Sequence, residues 1–101
     1  MTVPNTLLRW LQTFYAERCD GEWEHGEGIS IHTIDNPGWS VKIPLRDTYL
    51  ETRQFTRIEV EESETDWYHC WRDAAFFQGA GGPHNLESLL TVFRTWAETN
   101  E

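Results

Sequence analysis

The sequence contains few cysteines and almost no lysine. Cys19 and Cys70 are its two cysteines, and Lys42 is the one lysine among eight basic residues. Two cysteines cannot build the disulfide framework of a small secreted domain, and in a reducing compartment both should stay thiols. No apolar run approaches the ~20 residues that span a bilayer, and residues 1–10 lack a signal-peptide pattern. These absences predict a cytoplasmic protein without a membrane segment.

Basic residues are also scarce relative to acids. The chain has 8 bases against 17 acids, and its formal net charge is −9. A molecule of this charge repels phosphate backbones and anionic lipid surfaces, so we expect neither nucleic acid nor membrane as a partner. A basic protein is the natural partner, because complementary charge speeds encounter and helps select the partner. The alternative is that the acids serve only solubility.

The length and the apolar periodicity predict one domain with a helix at each end. A chain of 101 residues has no room for a second core, so the domain covers residues 1–101. Apolar residues at helical spacing predict a first helix over about residues 5–19, which ends before Gly21. A second apolar stripe begins after Asn85, a good N-cap residue, and runs through Trp96.

Between the helices the apolar period changes to two, which is typical of half-buried strands. The sequence DNPG at residues 35–38 predicts a hairpin turn, in which Pro37 fixes φ and Gly38 takes a positive φ. Short loops favour an antiparallel meander. The predicted fold class is α+β, an antiparallel sheet of four to five strands flanked on one face by an N-terminal and a C-terminal helix. The predicted strands cover about residues 29–34, 39–45, 54–62 and 66–72, with a short fifth at 75–77.

The stretch CDGEWEHGEG at residues 19–28 concentrates reactive groups. It holds one thiol, four carboxylates, an imidazole, an indole and three glycines. An EF-hand calcium loop beginning at Asp20 would need glycine at its sixth position and glutamate at its twelfth, where this chain has His25 and Ile31. Zinc sites need close cysteine or histidine pairs such as CxxC or HxxxH, and the sequence has neither. We therefore predict no metal site and no cofactor.

Catalysis by this stretch would need a reactive thiolate or a working pair of carboxylates. Acids follow Cys19 and disfavour its thiolate, which predicts a small buried residue, while Cys70 lies in a strand without a loop to hold a sulfur anion. In an extended chain Glu22 and Glu24 would lie ~6–7 Å apart, a spacing that glycosidases use but that any acidic loop shares. We predict no catalytic residue. A small enzyme or a ligand-binding domain using residues 19–28 stays as the alternative.

A recognition surface is the other interpretation of residues 19–28. Glycines let the backbone turn sharply, and carboxylates around Trp23 combine an aromatic anchor with charges that pair with arginine or lysine. Alternatively, Trp23 packs inward and the acids solvate a turn. A second acidic run, residues 59–66, has five carboxylates and no base. Residues 17–35 and 59–66 together hold eleven of the seventeen acids and would form one negative patch if the hairpin brings them to the same side. GAGGP at residues 79–83 lacks the lysine of a phosphate loop and predicts a flexible entry to the last helix.

The order of several short motifs is informative. CDGEWEH and DNPGW are separated by one strand and are followed by DWYHCW, by FQGAGGPHNLESLL and by a final FRTW. These motifs, in this order and over about residues 7–97, give the chain a resemblance to immunity protein family 53 of bacterial polymorphic toxin systems.

The resemblance implies a cytoplasmic antitoxin without catalytic activity that binds a cognate toxin domain and blocks it. Many toxin domains cleave nucleic acids and have basic active sites, so a basic partner is expected. Binding at nanomolar affinity, about −12 kcal/mol, would need aromatic anchors besides the charges. The oligomeric state stays open. The candidate toxin-binding residues are Asp20, Glu22, Trp23, Glu24, His25, Glu27, Asp35, Asn36 and Trp39.

Overall fold

The computed structural model describes residues 6–99, which form two α-helices and five β-strands. Residues 1–5 and 100–101 lie outside this region, including residue 5, where the first helix was predicted to begin. Within residues 6–99, neither helix is long and apolar enough to cross a membrane. The elements are α1 (Leu7–Arg18), β1 (Ser30–Ile34), β2 (Gly38–Pro44), β3 (Ile58–Ser63), β4 (Asp66–Arg72), β5 (Phe76–Gly81) and α2 (Leu86–Glu98), with a 3-10 turn at Trp23–His25 after α1.

The five strands form one antiparallel sheet in the order β1-β2-β5-β4-β3. This confirms the α+β class and the helix at each end. The predicted meander is wrong, because β2 pairs with β5 and not with β3. The apolar strands β2 and β5 lie inside the sheet, while the glutamate-rich β3 lies at an edge, where its charges stay in water.

The connection from β2 to β3, residues 45–57, is held in place by two arginines. Arg72 of β4 donates to the carbonyl oxygens of Leu50, at 3.0 Å, and of Arg53, at 2.7 Å. Arg53 in turn donates to the carbonyl oxygen of Trp96, at 3.0 Å, near the end of α2. Hydrogen bonds from a charged donor are stronger than neutral ones. These bonds fix the long connection that carries the chain past β5 and β4 to the far edge.

Both helices pack on the same face of the sheet, as predicted. Val41 and Ile43 of β2 and Phe77 of β5 point to this face and are at most 1% exposed. The Phe77 ring lies 5.0 Å from that of Phe93 on α2, and Phe93 lies 5.2 Å from Phe14 on α1. We call this the helix face. The opposite face, called the open face, is not covered by either helix of the described region.

Two small structural predictions near α2 need correction. Residues 79–81 belong to β5 and are not a flexible entry, and a Cβ on Gly79 would lie 2.9 Å from Leu89, so the glycine lets α2 approach the sheet. Asn85 does stand at the N-cap position, but its side chain makes no cap hydrogen bond. Its Oδ1 accepts the Trp67 N–H at 3.3 Å, and its Nδ2 donates to Asp66 at 3.0 Å. The residue therefore ties α2 to β4.

The DNPG turn joins β1 and β2 as the predicted hairpin. Its glycine has a different role from the one expected, since Gly21 and Gly28 are the glycines with positive φ in the described region and Gly38 is not among them. A Cβ on Gly38 would overlap the carbonyl oxygen of Gly81 on the neighbouring strand. Close approach of β2 and β5, rather than an unusual φ, requires glycine here.

We expect Gly38→Ala to lower the free energy of unfolding by about 1–3 kcal/mol, because the added methyl group would force β2 away from β5. Urea unfolding followed by far-UV circular dichroism measures the change. Ser40→Ala in the same strand is the control for a generic strand substitution. Equal stability of Gly38→Ala and the wild type would contradict the steric explanation.

Candidate functional site

Residues 19–28, the acidic loop, form a compact turn stabilised by two of their own carboxylates. Asp20 Oδ1 accepts the N–H groups of Glu22 and Trp23, both at 2.9 Å. The Glu24 carboxylate accepts the N–H groups of Asp20 and Gly21, each at 2.9 Å in its shortest bond. The extended chain that would place Glu22 and Glu24 side by side is not present, because Trp23–His25 form a 3-10 turn.

These hydrogen bonds also determine the ionisation of the two carboxyl groups. The N–H groups of Trp23 and Glu22 hold the pKa of Asp20 below its usual value. The backbone N–H groups of Glu24 itself, Asp20 and Gly21 lower the pKa of Glu24 in the same way. Both groups are therefore carboxylates at neutral pH, and their charge stabilises the loop backbone.

Trp23 points into the protein. Its side chain is buried, with 8% of the residue exposed, and its indole N–H donates to the carbonyl oxygen of Arg46 at 3.0 Å. The ring also lies 5.9 Å from that of Tyr15 on α1. A buried indole with a satisfied N–H is a stable arrangement, and here it attaches the acidic loop to the segment after β2. Of the two alternatives for Trp23, the structure has the inward one.

The other acids of the loop face a groove of about 490 Å³, which we call the loop groove. Glu22 and Glu27 are exposed on its rim, together with Asp47 and Arg46. Three acids and one base leave the rim negative, while the floor is largely apolar. Such a groove suits a side chain with an apolar stem and a positive end. Its lining residues are Glu22, Trp23, Gly26, Glu27, Pro44, Arg46, Asp47, Ala75 and Phe76.

His25 is exposed in the acidic loop, whereas Asp35, Asn36 and Trp39 lie at the other end of the sheet. Trp39 is on the helix face, and its indole N–H donates to the carbonyl oxygen of Pro83 at 3.0 Å. Asp35 and Asn36 are exposed in the β1–β2 turn. Asn36 borders a second groove of about 690 Å³, the hairpin groove, whose other lining residues are Glu61, Glu62, Ser63, Glu64, Trp67 and His69.

The nine candidate residues therefore form two separate groups. Strand β2 runs from the turn containing Asn36 to Pro44 at the loop groove, and seven extended residues span on the order of 20 Å. The acidic run at residues 59–66 meets the β1–β2 turn, not the acidic loop. Sequence reasoning missed Trp67 and His69, although the period-two pattern of DWYHCWR already places them on the strand face opposite to Cys70.

The two cysteines differ in their surroundings. Cys19 is exposed, contrary to the prediction of a buried residue, because it follows the last residue of α1 on the solvent side. Its Sγ donates to the carbonyl oxygen of Tyr15 at 3.3 Å. Cys70 is fully buried, and burial raises the pKa of its thiol to about 12. It is therefore not a thiolate at neutral pH. Among residues 6–99, no three histidine, cysteine or acidic side chains are arranged to hold a metal ion.

The lowered pKa of Asp20 predicts a pH-dependent contribution to stability. A carboxyl group with a depressed folded-state pKa stabilises the fold above its unfolded pKa, about 3.9, and loses this effect as the pH falls through the folded value. Asp20→Asn should therefore lower the melting temperature at pH 7, with a difference that shrinks below about pH 4. Thermal unfolding at several pH values measures it.

Glu17→Gln, which removes an exposed carboxylate on α1, is the matched control. It should change the melting temperature much less than Asp20→Asn at pH 7. A destabilisation by Asp20→Asn that is independent of pH would show that the two backbone hydrogen bonds do not depend on the charge.

Comparison with known proteins identifies the family. The profile of the family described as immunity protein 53 matches residues 8–98, which is nearly the whole chain. No curated protein and no solved structure matches the chain. The match includes the acidic loop, the DNPG turn, all five strands and α2 up to its last residue. The chain belongs to the immunity protein 53 family.

Proposed function

We propose that this protein is a cytoplasmic antitoxin that binds a cognate toxin domain and blocks its activity without any catalysis of its own. The family match over residues 8–98 carries the proposal. The net charge of −9 supports a basic toxin surface, because an acidic inhibitor is steered toward a basic active site.

The geometry of the acidic loop supports binding more than chemistry. The carboxylates of Asp20 and Glu24 already accept hydrogen bonds from backbone N–H groups. They are therefore not free to act as the general acid and general base of a hydrolysis. Glu22 and Glu27 are exposed beside the loop groove. We assign to these two glutamates the direct contact with lysine or arginine side chains of the toxin.

The other candidate residues then divide by position. His25, Asp35 and Asn36 are exposed and can lie within the toxin interface. Asp20, Trp23 and Glu24 hold the acidic loop in shape through hydrogen bonds, and Trp39 ties the start of β2 to Pro83. A rigid surface loses less entropy on binding, so these residues contribute to affinity by keeping the surface in shape.

Growth on co-expression tests the function directly. Cells that express the toxin domain encoded beside this gene should stop growing, and co-expression of this protein should restore growth. An unrelated acidic immunity protein, expressed at the same level, should give no rescue. Death of the cells despite soluble antitoxin would show that the proposed function is wrong for this pair.

The charge of the acidic loop should act mainly on the association rate. Association with an inactivated toxin domain should slow markedly between low salt and about 0.15 M salt, since the Debye length falls to ~8 Å. The double variant Glu22→Gln/Glu27→Gln should slow association further at low salt. Stopped-flow fluorescence measures both rates.

The matched control for this experiment is Glu87→Gln/Glu98→Gln, which removes the same charge from α2. It changes the net charge equally but lies outside the loop groove. A salt-independent association rate, or an equal effect of the two double variants, would exclude local steering by the acidic loop.

A further inference from the structure

The open face of the sheet has a distinctive set of side chains. Strand alternation places Trp67, His69 and Trp71 of β4 on this face, since Cys70 between them points into the core. Phe76 of β5 lies on the same face, and the Lys42 ammonium stands 4.2 Å from its ring centroid. These five side chains are half-buried and accessible to a partner.

One of the two tryptophans already holds an arginine of this chain. The Arg57 guanidinium lies 5.1 Å from the centroid of the Trp71 ring. The same guanidinium forms an ion pair with Glu59, and that pair lowers the pKa of the Glu59 carboxyl. Stacking on an indole and pairing with a carboxylate are the two contacts that a planar guanidinium makes best. This part of the open face is thus a complete arginine site.

The other tryptophan has the same kind of surroundings without an arginine of its own. Trp67 borders the hairpin groove together with Glu61, Glu62 and Glu64. The His69 ring packs against Trp67 at 5.5 Å, and its Nε2 lies 3.0 Å from Glu61. No lysine or arginine belongs to the lining of this groove in the described region. Glu61 already pairs with His69, so the Trp67 indole and the carboxylates of Glu62 and Glu64 are available to a cation from outside.

We infer that the hairpin groove on the open face receives an arginine side chain of the toxin, which stacks on Trp67 and pairs with Glu62 and Glu64 of the β3–β4 hairpin. This inference rests on the proposed function and names a second contact, on the order of 20 Å from the loop groove. Arginine is favoured over lysine because only its planar group can stack and pair at once. The Arg57 site shows this combination on the same face of this protein.

Two variants of the groove test the inference. Trp67→Thr removes the indole and keeps a residue of high strand propensity. The triple variant Glu61→Gln/Glu62→Gln/Glu64→Gln removes three charges from the groove. Its matched control is Glu17→Gln/Glu87→Gln/Glu98→Gln, which removes three charges from the helices on the other side of the sheet. Thermal unfolding checks that every variant is folded.

Isothermal titration calorimetry with the inactivated toxin domain measures the affinity of the wild type first. We expect Trp67→Thr and the groove triple variant each to bind at least ~tenfold more weakly, as a central aromatic anchor and its charged partners should. The control triple variant should stay within about threefold of the wild type, because charges far from an interface act weakly at physiological salt. Trp67→Phe should recover part of the loss by restoring a ring.

The other outcomes are distinguishable. If the wild type binds and Trp67→Thr binds equally well, the groove contact is wrong while the proposed function stands. If both triple variants weaken binding equally, general charge accounts for the effect and the groove is excluded. A wild type that does not bind the toxin overturns both proposals. A dimer of this protein that Trp67→Thr abolishes would identify a second copy, and not the toxin, as the occupant.

Discussion

The close packing of α2 against β5 determines the rest of the structure. Gly79 leaves no side chain between the strand and Leu89, and Phe77 next to it meets Phe93 on the helix. A methyl group in the place of the Gly79 hydrogen would lie 2.9 Å from the Leu89 side chain, so Leu89 would have to shift within the closely packed core. Because α2 is bound here, α1 packs beside it on the same face, and the opposite face of the sheet stays open.

Because the helices cover only one face of the sheet, the two faces have different roles. The helix face contains the fully buried core, including Ile43 and Cys70, and contributes most of the stability. The edge strand β3 carries glutamates and a bulge near Glu61, which are features that prevent pairing with other chains. An open face beside a protected edge can expose aromatic rings to a specific partner with less risk of aggregation.

The sequence alone predicted the elements that depend on local apolar periodicity and on turn-forming residues. Both helices and the strands around Val41 and Cys70 follow from their apolar spacing, and the DNPG turn follows from its residue types. The strand order was not predictable in this way, because it depends on which strands are apolar enough for the interior and on the arginine bonds that hold residues 45–57. Gly38 illustrates the same limit, since its neighbour Gly81 is distant in sequence.

The candidate site was predicted less completely, for a related reason. The acids of residues 19–28 were found, but their backbone bonds and the inward direction of Trp23 depend on the 3-10 turn and on Arg46. Local spacing also left open whether the acidic segments form one patch, and the register of β2 places the acidic loop and the β1–β2 turn at opposite ends of the sheet. The alternation of side chains along a strand can be predicted from the sequence alone. The distance between two loops at the ends of a sheet cannot, because it depends on how the strands pair.

The tryptophans show how one residue type serves both stability and recognition. The indole N–H groups of Trp23, Trp39 and Trp96 donate to backbone carbonyl oxygens of loops, at 3.0, 3.0 and 2.9 Å, so these rings attach loops to the core. Trp67 and Trp71 project instead from β4, a central part of the sheet with neighbours on both sides. Side chains on a rigid strand lose little entropy when a partner covers them. A binding surface supported by β4 can therefore be preformed, while the inward tryptophans keep the surrounding loops in a single shape.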